Sequence, residues 1–294
     1  MNDLVDLLDL RPILRRYALD EQPANFEDLF ASLYESNPDA PAITEIETRI
    51  REYFSGLELP DTVTIYDRLI LSLQPRDLIA TFNWDPLLYL AYRRNVSLVR
   101  LPKLAALHGS VAIGLCEDHQ TCGYLDDSCQ ECGTAFKPAQ LLYPIRRKNY
   151  QANSFIAGEW DLLRRHLVSG YWITFFGYGA PATDVEAVSL LKDMAAANAV
   201  RDIGDVEVID IKSPEELQAT WAPFFVGGHY AIHASFARSI LSAHPRRSAE
   251  TLWKQSQLLI AVKRRPLPET DDLLTLQAAA KELIDEEIAG KSTG

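Results

Sequence analysis

The sequence predicts an α/β protein built on a parallel sheet with helices on both faces, and three observations carry that expectation. From about residue 77 to 212, short apolar runs alternate with amphipathic stretches of helical length. The runs themselves, Leu78 to Thr81, then YWITFF, then VEVIDIK, are mostly apolar without strict alternation, as in strands covered on both sides. Composition allows a large core, with 294 residues, 47% of them apolar, and only 14 Gly and 16 Pro.

Each element follows in chain order. Residues 1–76 read as a helical region: LVDLLDLRPILRRYAL, then NFEDLFASLYES opening on Asn25 as its cap, then AITEIETRIREYF, then TIYDRLILSL. The strand Leu78 to Thr81 leads through FNWD to a helix with Pro86 in its first turn. LPKLAALHG is a second short apolar unit, and QLLYPI, after the cysteines, is expected as a strand. SFIAGEWDLLRRHL is a helix, and DVEAVSLLKDMAAANAV another, capped by Thr183 or Asp184. The tail from about residue 214 is expected to be helical, including TLWKQSQLLIAVKRR, with Gly227-Gly228 as a turn between helices. The expected organisation is therefore 1–76 helical, 77–115 and 138–250 the sheet domain, 116–137 an insert, and 251–294 C-terminal helices.

Charge and patterning exclude several classes. With 29 Lys and Arg against 41 Asp and Glu, the net charge is -12, which carries no strong nucleic-acid signal. The N-terminus lacks a basic segment and cleavage site, and no run suits a membrane span, so a cytoplasmic protein is expected.

All four cysteines, Cys116, Cys122, Cys129 and Cys132, fall in one short acid-rich stretch, which points to structural zinc rather than a disulfide framework. His119 lies between the first two and competes with Cys116 or Cys122 for a place among four ligands. Nothing apolar in this stretch would hold the loop without metal.

A second constellation ends the first strand: Thr81, Asn83 and Asp85 in TFNWD, followed by His108-Gly109. Carboxyl ends of parallel strands line ligand crevices, so a carboxamide, a carboxylate and an imidazole delivered there can meet on one small molecule. Asn83 or Asp85 could equally cap the helix at Pro86, and His108 could be a core histidine.

The ordered set of T-x-N-x-D, HG, a cysteine-rich insert and an apolar strand ending in Gly177-Tyr178-Gly179 resembles the bacterial sirtuin-like family over residues 77–212. That resemblance implies a Rossmann-like sheet with a zinc-ribbon insert, NAD as substrate or ligand, cleavage of the nicotinamide–ribose bond, and a role in antiviral defence through NAD depletion. It implies Asn83 and Asp85 near nicotinamide and its ribose, His108 as base at the ribose hydroxyls, and Thr81, Gly177, Tyr178 and Asp210 among the NAD-binding residues. The contrasting expectation is a non-catalytic subunit that senses NAD or ADP-ribose, or a zinc-bearing scaffold.

The sequence departs from the family at its start. Residues 1–80 contain a single glycine, Gly56, and no strand–glycine–helix pattern to cradle a pyrophosphate. The expectation is a parallel sheet with an unfilled edge, weak or no NAD binding by the chain alone, and a protein partner, a homo-oligomer or an upstream strand that supplies the missing glycine-rich element on which NAD cleavage depends.

Overall fold

The structure is a computed structural model and describes residues 4–21, 23, 26–98, 100–143, 153–179, 185–198, 204–225 and 229–290. It is a mixed α/β arrangement with parallel strands and helices on both of their faces. Four helices open the chain: α1 (Leu4–Leu7), α2 (Arg11–Arg16), α3 (Phe26–Ser36) and α4 (Pro41–Ser55). The long first helix expected from the sequence is broken at Asp9, which takes a φ of 49°, so the apolar faces of α1 and α2 can both turn inward. Their core, with Leu14, Phe30, Ile46 and Ile50 fully buried, also collects Trp84 and Tyr143 from the sheet region. Asn25, the expected cap of α3, lies outside the described residues.

Helix α5 (Ile65–Leu71) starts on a capping box, in which Thr64 accepts from the Asp67 N–H and Asp67 accepts from the Thr64 N–H. It packs with α6 (Leu87–Asn95) and α12 (Leu273–Ile288) rather than with α1–α4. Asp67 anchors that packing: it is fully buried yet held by Arg94, Thr64 and Asn95, and the Arg94 and Thr64 bonds keep its carboxyl below the usual range against the opposing effect of burial.

The parallel strands form two sheets. β1 (Leu78–Thr81) pairs with β2 (Lys103–Ala106) in register Leu78 with Lys103. β3 (Ile113–Cys116), β4 (Thr121–Tyr124) and β5 (Lys137–Pro138) make a small antiparallel sheet. Then β6 (Trp172–Phe176), β7 (Asp205–Ile209) and β8 (Tyr230–His233) form the second parallel sheet in that order. Helix α7 (Ser154–Leu167), α8 (Val185–Ala196) and α9 (Pro214–Trp221) cover one face of both parallel sheets, in a single core holding Trp160, Leu191, Val208 and Trp221. On the other face lie α5, α6, α12 and α10 (Ile240–Ala243), while α11 (Ser248–Ser256) sits at the amino end of β6, where Trp253 packs on Tyr171.

Three expectations are corrected. QLLY forms no strand; the chain there is held by the Leu142 N–H donating to His108 O and by the burial of Leu141, while the residues after Tyr143 lie outside the described set. His229-Tyr230 does not lie in a turn between helices, because Tyr230 opens strand β8, added parallel to β7. TLWKQSQLLIAVKRR is helical only to Ser256; Leu259 takes a φ of 53°, which no helix accommodates, and the prolines at 266 and 268 keep the chain beyond it from resuming one. Thr183 and Asp184 lie outside the described residues.

Candidate functional site

The loop after β1 is tied down from both sides. The Ser110 hydroxyl donates to the carbonyls of Trp84 and Asp85 at 3.2 and 3.1 Å, and the Val111 N–H donates to Trp84 O at 2.9 Å. Gly109 makes this approach possible: its φ is +78°, and a Cβ would sit 2.2 Å from Gln140 O. The HG pair is thus a backbone device as well as a source of an imidazole.

Within the loop, the Thr81 hydroxyl accepts from the Asn83 N–H at 3.0 Å. The Asn83 side chain is exposed. Asp85 Oδ1 accepts from the Leu87 N–H at 3.0 Å, so this carboxylate does cap α6. Burial raises its pKa above the ordinary range, and the Leu87 bond pulls the other way.

His108, 7% exposed, lies against the Phe82 ring at 4.9 Å. Phe82 in turn stacks on Tyr178 at 4.1 Å with planes 12° apart, joining the carboxyl end of β1 to that of β6. Gly177 makes the turn after β6 with a φ of +64°. A cavity of about 1080 Å³ opens here, with Thr81, Phe82, Asn83, Gly177 and Tyr178 on its wall. His108 and Asp85 are not on that wall, and His108 is separated from it by Phe82. Asp210 follows β7, where its carboxylate accepts from the Lys212 N–H at 3.0 Å, and it does not line the cavity either. Tyr66, from helix α5, lines the same cavity as Asn83 and is a site neighbour that sequence reading did not single out; no local motif marks it.

The cysteine stretch gathers four candidate ligands. Cys116, His119, Cys129 and Cys132 offer ligand atoms all within 4.8 Å of one another. Cys116 Sγ lies 3.6 Å from His119 Nδ1 and 3.8 Å from Cys132 Sγ, and Cys129 Sγ lies 3.7 Å from the same imidazole nitrogen. Zinc bonds of about 2.3 Å to sulfur and 2.0–2.1 Å to nitrogen put neighbouring corners of a tetrahedron roughly 3.5–3.8 Å apart, so the donor set fits zinc. The Thr121 hydroxyl and the Cys132 N–H hold the Cys129 thiol down to about 6, favouring thiolate.

Cys122 is outside this group, for a reason that lies in strand alternation. In β4 it pairs with Leu115, whereas Thr121 pairs with Cys116 on the ligand side; the Cys122 thiol is therefore on the opposite face, where desolvation followed by the charge of Glu159 pushes its pKa up. The competition read from the sequence therefore leaves His119, not Cys122, beside the other three thiols.

No protein-family model matches this sequence. No curated protein matches it. Among solved structures the chain is similar to a crystal structure of Sir2 in complex with the inhibitor EX-527, 2'-O-acetyl-ADP-ribose and a deacetylated p53 peptide. The identity is 13%, the TM-score 0.38, and the likeness covers 88% of this chain and 98% of that one. Among the described residues no helix is long and apolar enough to cross a membrane.

Proposed function

We propose that this chain binds NAD at the carboxyl ends of β1, β2 and β6 and hydrolyses its nicotinamide–ribose bond. The observation that carries the reading is the meeting of Asn83 and the Gly177-Tyr178 turn on the wall of one cavity, with His108 one ring behind. Loss of neutral nicotinamide leaves an oxocarbenium-like ribose, so the protein has to position the sugar, orient a water and take a proton. Asn83, exposed on the cavity wall that Tyr66 also lines, orients the carboxamide or the attacking water. Asp85 caps α6 and so fixes the loop that carries Asn83, and it reaches the nicotinamide ribose once that loop brings it onto the cavity wall. His108 is the base for a ribose hydroxyl, reached once Phe82 turns aside from its stack on Tyr178. Thr81 supports the Asn83 backbone, and Asp210 at the end of β7 belongs to the adenosine half.

Cys116, His119, Cys129 and Cys132 hold a structural zinc, with all four positions taken by protein and none left for water. A thiolate-rich zinc site suits a reducing compartment, hence the cytoplasm, where NAD depletion would serve antiviral defence.

A second reading is favoured by the screening of His108: a module that senses NAD or ADP-ribose without cleaving it. One experiment separates them. The chain is incubated with millimolar NAD and free nicotinamide is quantified, with binding followed by calorimetry. Hydrolysis predicts release that falls by about two orders of magnitude or more in His108→Ala and Asn83→Ala. Binding with no release leaves the sensing reading, and neither binding nor release removes both.

A further inference from the structure

The two parallel sheets turn facing edges to the same cavity. In the first, the Lys103 N–H donates to Asp77 O and the Leu107 N–H to Thr81 O, both at 2.9 Å. A parallel ladder engages every second residue, so Ile79 and Thr81 serve β2 while Leu78, Ala80 and Phe82 aim their backbone groups the other way. In the second, the Asp205 N–H donates to Tyr171 O and the Gly177 N–H to Ile209 O. Trp172, Thr174 and Phe176 therefore aim theirs away from β7. Among the described residues no strand pairs with either edge, and both rows line the one cavity.

The edges run in the same direction. Past their carboxyl ends Phe82 stacks on Tyr178, and at their amino ends Arg76 pairs with Glu250 while Tyr171 packs on Trp253, both partners on α11. The cavity between them is apolar on both faces, with Leu163, Leu167 and Leu191 below and Ile65, Leu69 and Leu241 above. A buried parallel strand needs these conditions: hydrogen-bonding edges on both sides and apolar contacts for both of its alternating faces.

We propose that this slot receives an extended apolar segment of another polypeptide, inserted between β1 and β6 as a parallel strand that joins the two sheets in the order β2, β1, inserted strand, β6, β7, β8. With β1 four and β6 five residues long, the segment is about five residues, some 17 Å, uncharged and rich in β-branched side chains. Such strand addition draws affinity from main-chain hydrogen bonds and specificity from alternate side chains.

The chain's own exposed run at 258–260 is the competing occupant, since Leu258 lies at the cavity wall and Leu259 is 87% exposed at a φ of 53°. It is tied at both ends, by the Ile260 N–H to Lys254 O and the Arg265 N–H to Ala243 O, and cannot extend along the slot without breaking both. The inserted strand would emerge between Phe82 and Gly177, beside Asn83, yet the proposal stands on the strand edges alone and its test contains no nucleotide.

The test is residue-resolved hydrogen exchange on the full chain with a synthetic peptide, KKVVIVVKK, against KKVVPVVKK and against decanol. The account expects the valine–isoleucine peptide to slow exchange at the Leu78, Ala80, Trp172 and Thr174 amides by ~10-fold or more, and the proline peptide and decanol to leave them unchanged. Three outcomes overturn it. One is no slowing by the first peptide; another is equal slowing by decanol, which makes the cavity a small-molecule site. The third is amides already protected in the free chain and released by Leu259→Asp with Ile260→Asp, which assigns the slot to the chain's own run.

Discussion

The sheets β3–β4–β5 and β6–β7–β8 have three strands each and bury their residues to very different extents. In the first, β5 is wholly exposed, and the knuckle from Cys116 to Gly133 buries little beyond the thiols of Cys116 and Cys129. In the second, four of the five residues of β7 are buried and Phe175 stacks on Trp221 at 3.8 Å within a large apolar core. The antiparallel sheet still packs Ile113, with Leu115 and Tyr124, against Tyr89 and Ala106, so the contrast lies in the knuckle: a loop that buries so little apolar surface needs a ligand to hold it, whereas β6–β7–β8 needs no ion and tolerates even a buried acid.

The largest effect that would break this contrast comes from the metal. Structural zinc supplies about 10 kcal/mol or more to small metal-folded units, so chelation or Cys129→Ser should unfold the antiparallel unit and leave the parallel sheets folded. Metal analysis should find one zinc per chain, lost in the variant, while hydrogen exchange rises at residues 113–138 and stays unchanged in β7. Simultaneous loss of both regions would show that they are not independently held.

Next comes the apolar side. Trp221 is 1% exposed and packs on Phe175, Tyr178 and Phe224. Trp221→Ala should cost about 3–5 kcal/mol in denaturant unfolding without changing zinc content.

Smaller still is the contribution of Glu207, buried in the middle of β7, where its carboxylate accepts from the Ile240 N–H at 2.9 Å and the Thr174 hydroxyl at 3.2 Å, with His233 at 3.4 Å. Burial outweighs those two bonds and lifts its pKa to about 7. A carboxyl raised in the folded state favours folding while it stays protonated. Its contribution is therefore full below the unfolded value and is lost as pH rises from about 4.5 to about 7, amounting to at most ~3 kcal/mol. Glu207→Gln should flatten that part of the stability profile; an unchanged profile would assign the slope to other groups.

The smallest effect sharpens the ligand set. Cys122→Ser should retain one zinc per chain and shift stability by less than about 1 kcal/mol, whereas His119→Ala should weaken zinc binding.

What the sequence made legible follows the same division. Leu78–Thr81 could be read as a strand because it is short, apolar and followed by a proline-started helix, and α7 could be read from the spacing of Ile156, Trp160, Leu163 and Leu167. Strand β8 was not legible, since Tyr230–His233 is four residues behind a glycine pair and owes its state to pairing with β7. The cluster of cysteines pointed to metal, but spacing alone could not choose between Cys122 and His119; the pairing of Cys116 with Thr121 puts Cys122 on the other face of β4 and leaves His119 beside the other three thiols. At the candidate site, Asn83 and Gly177 stood out as strand-end residues, while the Phe82–Tyr178 stack and the place of Tyr66 on the same cavity wall arise between distant segments and leave no local pattern. Glu207 was read as part of an apolar strand, and only the packing against α10 shows how its charge is managed.

The measurement that bears most directly on the central claim is residue-resolved hydrogen exchange of the full chain with millimolar ADP-ribose. ADP-ribose shares the ribose and pyrophosphate of NAD and cannot be consumed by nicotinamide release, so the readout reports the site alone. The account predicts slowed exchange in the loop at 82–85, at 108–111 and at Gly177-Tyr178, where the carboxyl ends of β1, β2 and β6 meet. No change there, or protection confined to another part of the chain, would contradict it.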